Sequence, residues 1–237
     1  MIAVVIPTYN EGANLPPLVV ELLALRPDLG VIVVDDNSPD GTGTIGDELA
    51  ASTGRVTVIH RPRKAGIGPA YVHGLRTASA GEAGRIVCMD ADGSHRVADL
   101  PALLDALGQA DIALGSRYVR GGATEGWPLS RRVLSRFGGR YARLVLGVPI
   151  ADLTGGFKAY RREALALLDL DAIGSDGYAF QIETTWQALQ RGLWVVEVPI
   201  TFTDRVAGRS KLSRRIVAEA VWTVLRLRWR AWRGRSA

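Results

Sequence analysis

The chain has 237 residues, of which 47% are hydrophobic and 22% charged, with a formal net charge of +5. Its lone cysteine, Cys88, excludes an internal disulfide, and no apolar run approaches the roughly 20 residues that cross a bilayer. Met1 leads directly into apolar sequence without the basic region of a secretion signal, so the expectation is a single α/β unit with a short appendage, in a reducing cytoplasm and peripheral to a membrane at most.

Short β runs alternate with helical patterns through the first half, which predicts a mainly parallel sheet covered by helices. Strands are expected at Ile2–Ile6, Val31–Asp35, Val56–His60, Arg85–Met89 and Ile112–Ser116. Helices fit at Asn14–Ala24, Thr42–Ala51, Gly68–Ala78 and Leu100–Ala106. A glycine-rich loop follows at Arg120–Gly126, then a helix at Arg131–Leu146 and a strand or turn at Phe157–Tyr160. Helical pieces at Arg162–Leu167 and Gln181–Arg191 and a strand at Trp194–Pro199 complete the body, taken as residues 1–211. Residues 212–237 read as a basic amphipathic tail, with Ile216, Val217, Ala220, Val221, Val224 and Leu225 on one stripe. Tryptophans and arginines surround that stripe. The composition suits an interfacial helix, a helix packed on its own domain, or docking to a membrane-protein anchor.

Lysine occurs only at Lys64, Lys158 and Lys211, and every other basic residue is arginine, clustered at 131–143 and from 205 onward. Arginine in clusters suits phosphate, whether of a nucleotide, a lipid or a nucleic acid. A nucleic-acid-binding protein is one reading of the basic tail, but acidic clusters at the strand ends would repel such a partner.

Ligands of open α/β sheets bind beyond the carboxyl ends of the strands. Three polar clusters fall there: Pro7-Thr8-Tyr9-Asn10-Glu11, then Asp35-Asp36-Asn37-Ser38-Pro39-Asp40-Gly41-Thr42, then Asp90-Ala91-Asp92-Gly93-Ser94-His95. Carboxylates two residues apart where a strand breaks can both reach Mg²⁺ or Mn²⁺, hard cations that share their oxygen ligands with substrate phosphates. Taken singly, the pair also fits an acidic turn; beside the other two clusters the metal reading prevails. Gly41-Thr42-Gly43-Thr44-Ile45-Gly46 has dinucleotide-site spacing but follows the second strand, and the next strand ends in His60-Arg61 instead of an acid, so it reads as a turn and helix start.

Together with Gly115-Ser116-Arg117-Tyr118, Asp152-Leu153-Thr154-Gly155-Gly156-Phe157-Lys158-Ala159-Tyr160, Phe202-Thr203-Asp204-Arg205 and Gly208-Arg209-Ser210-Lys211-Leu212, these clusters resemble the inverting nucleotide-sugar glycosyltransferases of family two, whose fold is called GT-A. Within them the chain is similar to the dolichol-phosphate (polyprenol-phosphate) mannose synthases. The resemblance implies that Pro7, Tyr9, Glu11, Val34, Asp36, Asp90, Ala91 and Asp92 line a nucleotide-sugar pocket. It places Asp90 and Asp92 on the metal, with Ser94 at the third ligand position, where some relatives carry glutamine. It gives Arg117, Arg131 and Ser135 the acceptor phosphate, with Asp92 among the catalytic groups, and Arg205 and Lys211 a loop closing over the diphosphate. Asp152 would orient an arginine or the sugar, or serve structure alone.

The implied donor is GDP-mannose and the implied acceptor a polyprenyl phosphate, already an anionic nucleophile that needs no strong general base. The alternative within the family is a UDP-sugar donor such as UDP-glucose.

Overall fold

All seven residues of β1 (Ile2–Thr8) are buried, because an apolar run of this kind suits a central parallel strand covered on both faces. A computed structural model describes residues 1–204 and 214–234 of the chain, with side chains in the last helix described for 220–230 and 232. The strands after β1 are β2 (Leu29–Asp35), β3 (Val56–His60), β4 (Arg85–Cys88), β5 (Ile112–Ser116), β6 (Ala123–Thr124), β7 (Lys158–Arg161), β8 (Val195–Pro199) and β9 (Thr201–Phe202). The helices are α1 (Leu15–Leu25), α2 (Thr42–Thr53), α3 (Ile67–Ala80), α4 (Leu100–Ala106), α5 (Leu129–Leu146), α6 (Arg162–Ala166), α7 (Gly177–Gln190) and α8 (Arg214–Gly234).

Seven strands form one sheet in the order β3-β2-β1-β4-β7-β5-β8, and β6 pairs with β9 in a separate ribbon. Among the described strands only β7 runs antiparallel within the large sheet, lying between β4 and β5. The segment expected as a strand or turn at Phe157–Tyr160 is therefore an inner strand, and the polar loop after Arg120 contributes β6. The sheet remains mainly parallel, flanked by helices.

Leucines of α1 and α4 pack with Val4, Ile6 and Val87 on one face of the sheet. Tyr71 and Leu75 of α3 and Phe180 of α7 pack with Val5, Val34 and Cys88 on the other. Cys88 is buried, and that burial pushes its thiol up to about 12, as suits an inert core residue. Gly74 lets α3 approach closely: a Cβ there would meet Val5 Cγ1 at 2.3 Å.

The predicted tail stripe divides in the structure. Val224 and Leu227 are buried in a third cluster with Ile182 and Leu146, whereas Val221, Trp222, Leu225 and Trp229 are exposed. Helix α8 thus packs on α5 and α7 while turning a second apolar face outward. Among the described residues no helix is long and apolar enough to cross a membrane.

Candidate active site

The chain moves outward from β1 to β2 and β3 and returns to β4 on the other side of β1. This switch point opens a crevice at the strand carboxyl ends. Asn10 and Asn37, at the ends of β1 and β2, adopt φ of 58° and 59°, a left-handed conformation that asparagine tolerates. The two turns are tied together: the Asn10 N–H donates to Ser38 Oγ at 3.0 Å, and Glu11 N–H to Thr42 Oγ1 at 3.0 Å. Asp35 is buried and accepts from Thr8 Oγ1 and the Ser38 N–H, so its work is structural.

The crevice holds a cavity of about 270 Å³. Pro7, Tyr9, Glu11, Asp36, Asp90, Ala91, Asp92, Arg117 and Arg131 all line it. Val34 and Ser94 do not. Val34 is fully buried, its side chain packed among those of Val5 and Tyr71 as strand alternation requires. Ser94 is buried behind Asp92, and its hydroxyl and amide both donate to Asp92 Oδ1. Arg205 and Lys211 lie outside the described residues.

Asp90 is positioned from two sides. The Tyr71 hydroxyl donates to its Oδ1 at 2.7 Å, and burial with the Asp90 charge pushes the Tyr71 phenol well above its ordinary value, keeping it a donor. The Asp90 amide donates to His95 Nδ1 at 3.1 Å, so Nε2 carries the proton of the neutral ring. Burial holds His95 below its ordinary pKa, and its ring stacks on Phe157 at 5.0 Å. Among the described residues no group of three or more His, Cys, Asp or Glu side chains converges to hold a metal. A cation here would rest on Asp90 and Asp92 and complete its shell with ligand phosphate and water, as Mg²⁺ and Mn²⁺ commonly do. The paired acidic oxygens in a cavity suited to phosphate fit that group.

Asp36 is 4% exposed, yet its carboxylate accepts from the N–H groups of Ala65 and Gly66 at 2.9 Å each and from Arg61 Nη1 at 2.6 Å. It therefore pins the loop after β3 and brings Lys64 into the cavity, its Nζ 3.5 Å from the Tyr9 ring centroid. Lys64 was no sequence candidate; its one signal was its place just beyond a strand end.

On the opposite side Arg117 is buried against Asp152. Burial alone would push the Asp152 carboxyl up, but the Arg117 guanidinium overrides it and holds the group below its ordinary value. Arg117 Nη2 also donates to Thr154 Oγ1 at 2.7 Å, which leaves Nη1 as the end able to serve a ligand. Arg131 pairs with Asp204 at 2.8 Å and lies over the Trp127 ring at 4.0 Å. Ser135 accepts from the Tyr118 hydroxyl at 2.6 Å and lines a second, apolar cavity of about 100 Å³ between α5, α7 and α8. Arg131, Thr154 and Tyr178 line both cavities, so the charged site adjoins the apolar one directly. Asp176, Tyr178 and Gln181 also line the main cavity, and no sequence motif marks them.

Residues 3–168 match the family described as Glycosyl transferase family 2. Over 223 residues the chain is 51% identical to a polyprenol monophosphomannose synthase of Mycolicibacterium smegmatis, covering 93% of this chain and 84% of that protein. Over 235 residues it is 46% identical to an undecaprenyl-phosphate mannosyltransferase of Micrococcus luteus, covering 98% and 97%. Among solved structures, glucosyl-3-phosphoglycerate synthase of Mycobacterium tuberculosis in complex with Mn²⁺, UDP-glucose and phosphoglyceric acid superposes with a TM-score of 0.71 at 22% identity. That match covers 97% of this chain and 80% of that one, a likeness of fold.

Proposed function

The chain belongs to glycosyl transferase family 2 and is a glycosyltransferase of GT-A fold, and we propose that it transfers mannose from GDP-mannose to a polyprenyl phosphate. The observation that carries the reading is one continuous site: a carboxylate pair and two arginines line a cavity that adjoins one lined mainly by apolar side chains. An acceptor with a phosphate head and a hydrocarbon tail has this same sequence of chemistries. The mannosyl and polyprenyl parts are supported by two relatives, 51% and 46% identical, whose names carry those activities.

Pro7, Tyr9, Glu11 and Asp36 form the nucleoside end, and Asp90, Ala91 and Asp92 the diphosphate end. Asp90 and Asp92 would hold a divalent cation, Mg²⁺ or Mn²⁺, with Ser94 fixing Asp92 from behind, and such an ion would supply positive charge toward the diphosphate. Arg117 and Arg131 align the acceptor phosphate, with Ser135 supporting Tyr118 beside them. A phosphate oxygen attacks C1 of the sugar, the new C1–O bond forms, and the bond to the diphosphate breaks with inversion. No proton has to move, so the protein's part is alignment and charge stabilisation. Arg205 and Lys211 are assigned to closing over the diphosphate.

The acceptor lies in a bilayer, and α5 and α8 carry outward-facing Leu129, Phe137, Trp222 and Trp229 among arginines. That surface suits peripheral docking to the cytoplasmic face of an anionic membrane, with a membrane-protein anchor as the competing occupant.

The test is transfer of labelled mannose from GDP-mannose to polyprenyl phosphate in detergent, with Mg²⁺ and with EDTA. Metal-dependent labelling of the lipid is expected. Transfer from UDP-glucose in place of GDP-mannose would overturn the donor assignment and keep the chemistry.

A further inference from the structure

Lys64 stands at the nucleoside end of the cavity, its ammonium 3.5 Å from the centroid of the Tyr9 ring. The backbone on its C-terminal side is pinned, because buried Asp36 takes the Ala65 and Gly66 amides and the Arg61 guanidinium. The side chain itself is exposed and has a flexible four-carbon stem. Among the described cavity residues Glu11, Asp36, Asp90, Asp92 and Asp176 face three cations, Lys64, Arg117 and Arg131. Arg117 and Arg131 both stand by Trp127, so Lys64 is the described cation at the Tyr9 end.

A base that stacks on the Tyr9 face where Lys64 rests displaces the ammonium from it. We propose that Lys64 reads the donor's nucleobase: it cedes the Tyr9 face on binding, and its ammonium then donates to the base edge. This rests on the donor assignment above and deepens it by naming the residue that selects the base. Guanine presents O6 and N7 side by side, and one ammonium can bridge both. Uracil offers O4 alone on its corresponding edge, and adenine places an amino donor beside N7, which an ammonium cannot use. Lys64 is therefore a specificity residue for guanine.

Calorimetric titration of GDP and of UDP into the full chain in Mg²⁺ buffer tests this, with wild type, Lys64→Ala and Lys64→Arg. Wild type is expected to prefer GDP. Lys64→Ala should weaken GDP binding by about 10- to 100-fold while moving UDP by no more than a small factor, so the preference collapses. Lys64→Arg should keep it, since arginine meets the same two acceptors. Equal weakening of GDP and UDP in Lys64→Ala would overturn base reading and leave only attraction to the diphosphate. A GDP preference that survives Lys64→Ala would sink the role of Lys64 while leaving the donor assignment standing. A wild type that prefers UDP would overturn both.

Discussion

Arg117 and Asp152 form a two-point buried ion pair: Nε donates to Oδ2 at 2.7 Å and Nη2 to Oδ1 at 2.6 Å, with side-chain exposures of 4% and 1%. The pair is held from further back. Glu197 of β8 accepts the Ala151 and Asp152 amides at 2.7 and 2.9 Å, so the edge strand beside β5 fixes Asp152, and Asp152 fixes the arginine. Asp152 thereby acts as a positioning residue for Arg117, one of the alternatives its motif left open.

Removing Asp152 leaves a buried, unpaired cation. Asp152→Ala is expected to cost about 3–5 kcal/mol of stability, because breaking a buried pair costs far more than its net worth. Thermal melting reads this, and the transfer assay on the folded fraction should show lost activity as well. The folded Asp152 pKa lies below its ordinary value of 3.8, so the pair's contribution is full above that value. It is lost as pH falls through the depressed folded value. Acid titration of stability should therefore show a limb below about pH 4 that Asp152→Asn flattens.

Asp92→Ala should leave the fold intact and lower transfer by at least about a thousandfold, since it removes half of the proposed cation's protein ligands. Ser94→Ala, which removes one donor to Asp92, is expected to cost only about five- to tenfold. Circular dichroism and the transfer assay on both variants check the order. Equal losses would put Ser94 on the cation itself.

Lys158 is 1% exposed, donates to Gln181 O at 2.7 Å and Thr184 Oγ1 at 2.9 Å, and is pushed down to about 7 by burial. Between that value and the ordinary 10.5 the unfolded chain holds a proton that the folded chain has released. Stability from this group therefore rises with pH across that window and is lowest below it. Lys158→Met should raise stability at pH 7 by about 1 kcal/mol or more. The gain should shrink on approaching pH 10. Denaturant titrations at the two pH values measure it, and a gain that grows with pH would contradict the sign.

Gly74→Ala places a Cβ 2.3 Å from Val5 Cγ1 and 2.9 Å from Val34 Cγ2, forcing α3 off the sheet. The expected cost is about 1–3 kcal/mol. Activity should fall with it, because α3 carries the Tyr71 that holds Asp90. Gly84→Ala meets nothing within 4 Å and is the neutral control, compared by melting temperature.

The apolar runs of β1, β2 and β4 specify buried strands without outside help. Once strands are parallel, their carboxyl ends share one edge, so the clusters at Pro7–Glu11, Asp35–Asp36 and Asp90–Asp92 were legible as one site from sequence alone. Other features depend on contacts distant in the chain, and no local pattern encodes them. Asp176 reaches Gly68 across 108 positions and Arg117 finds Asp152 across 35, each by tertiary packing. The antiparallel insertion of β7, the retreat of Val34 and Ser94 from the cavity and the entry of Lys64 were decided in the same way. Helix α8 marks the boundary between the two kinds of information. Its amphipathic period was plain in the sequence, but only packing against α5 and α7 determined that Val224 and Leu227 turn inward and Trp222 and Trp229 outward, because periodicity sets which residues share a face and burial sets what that face meets.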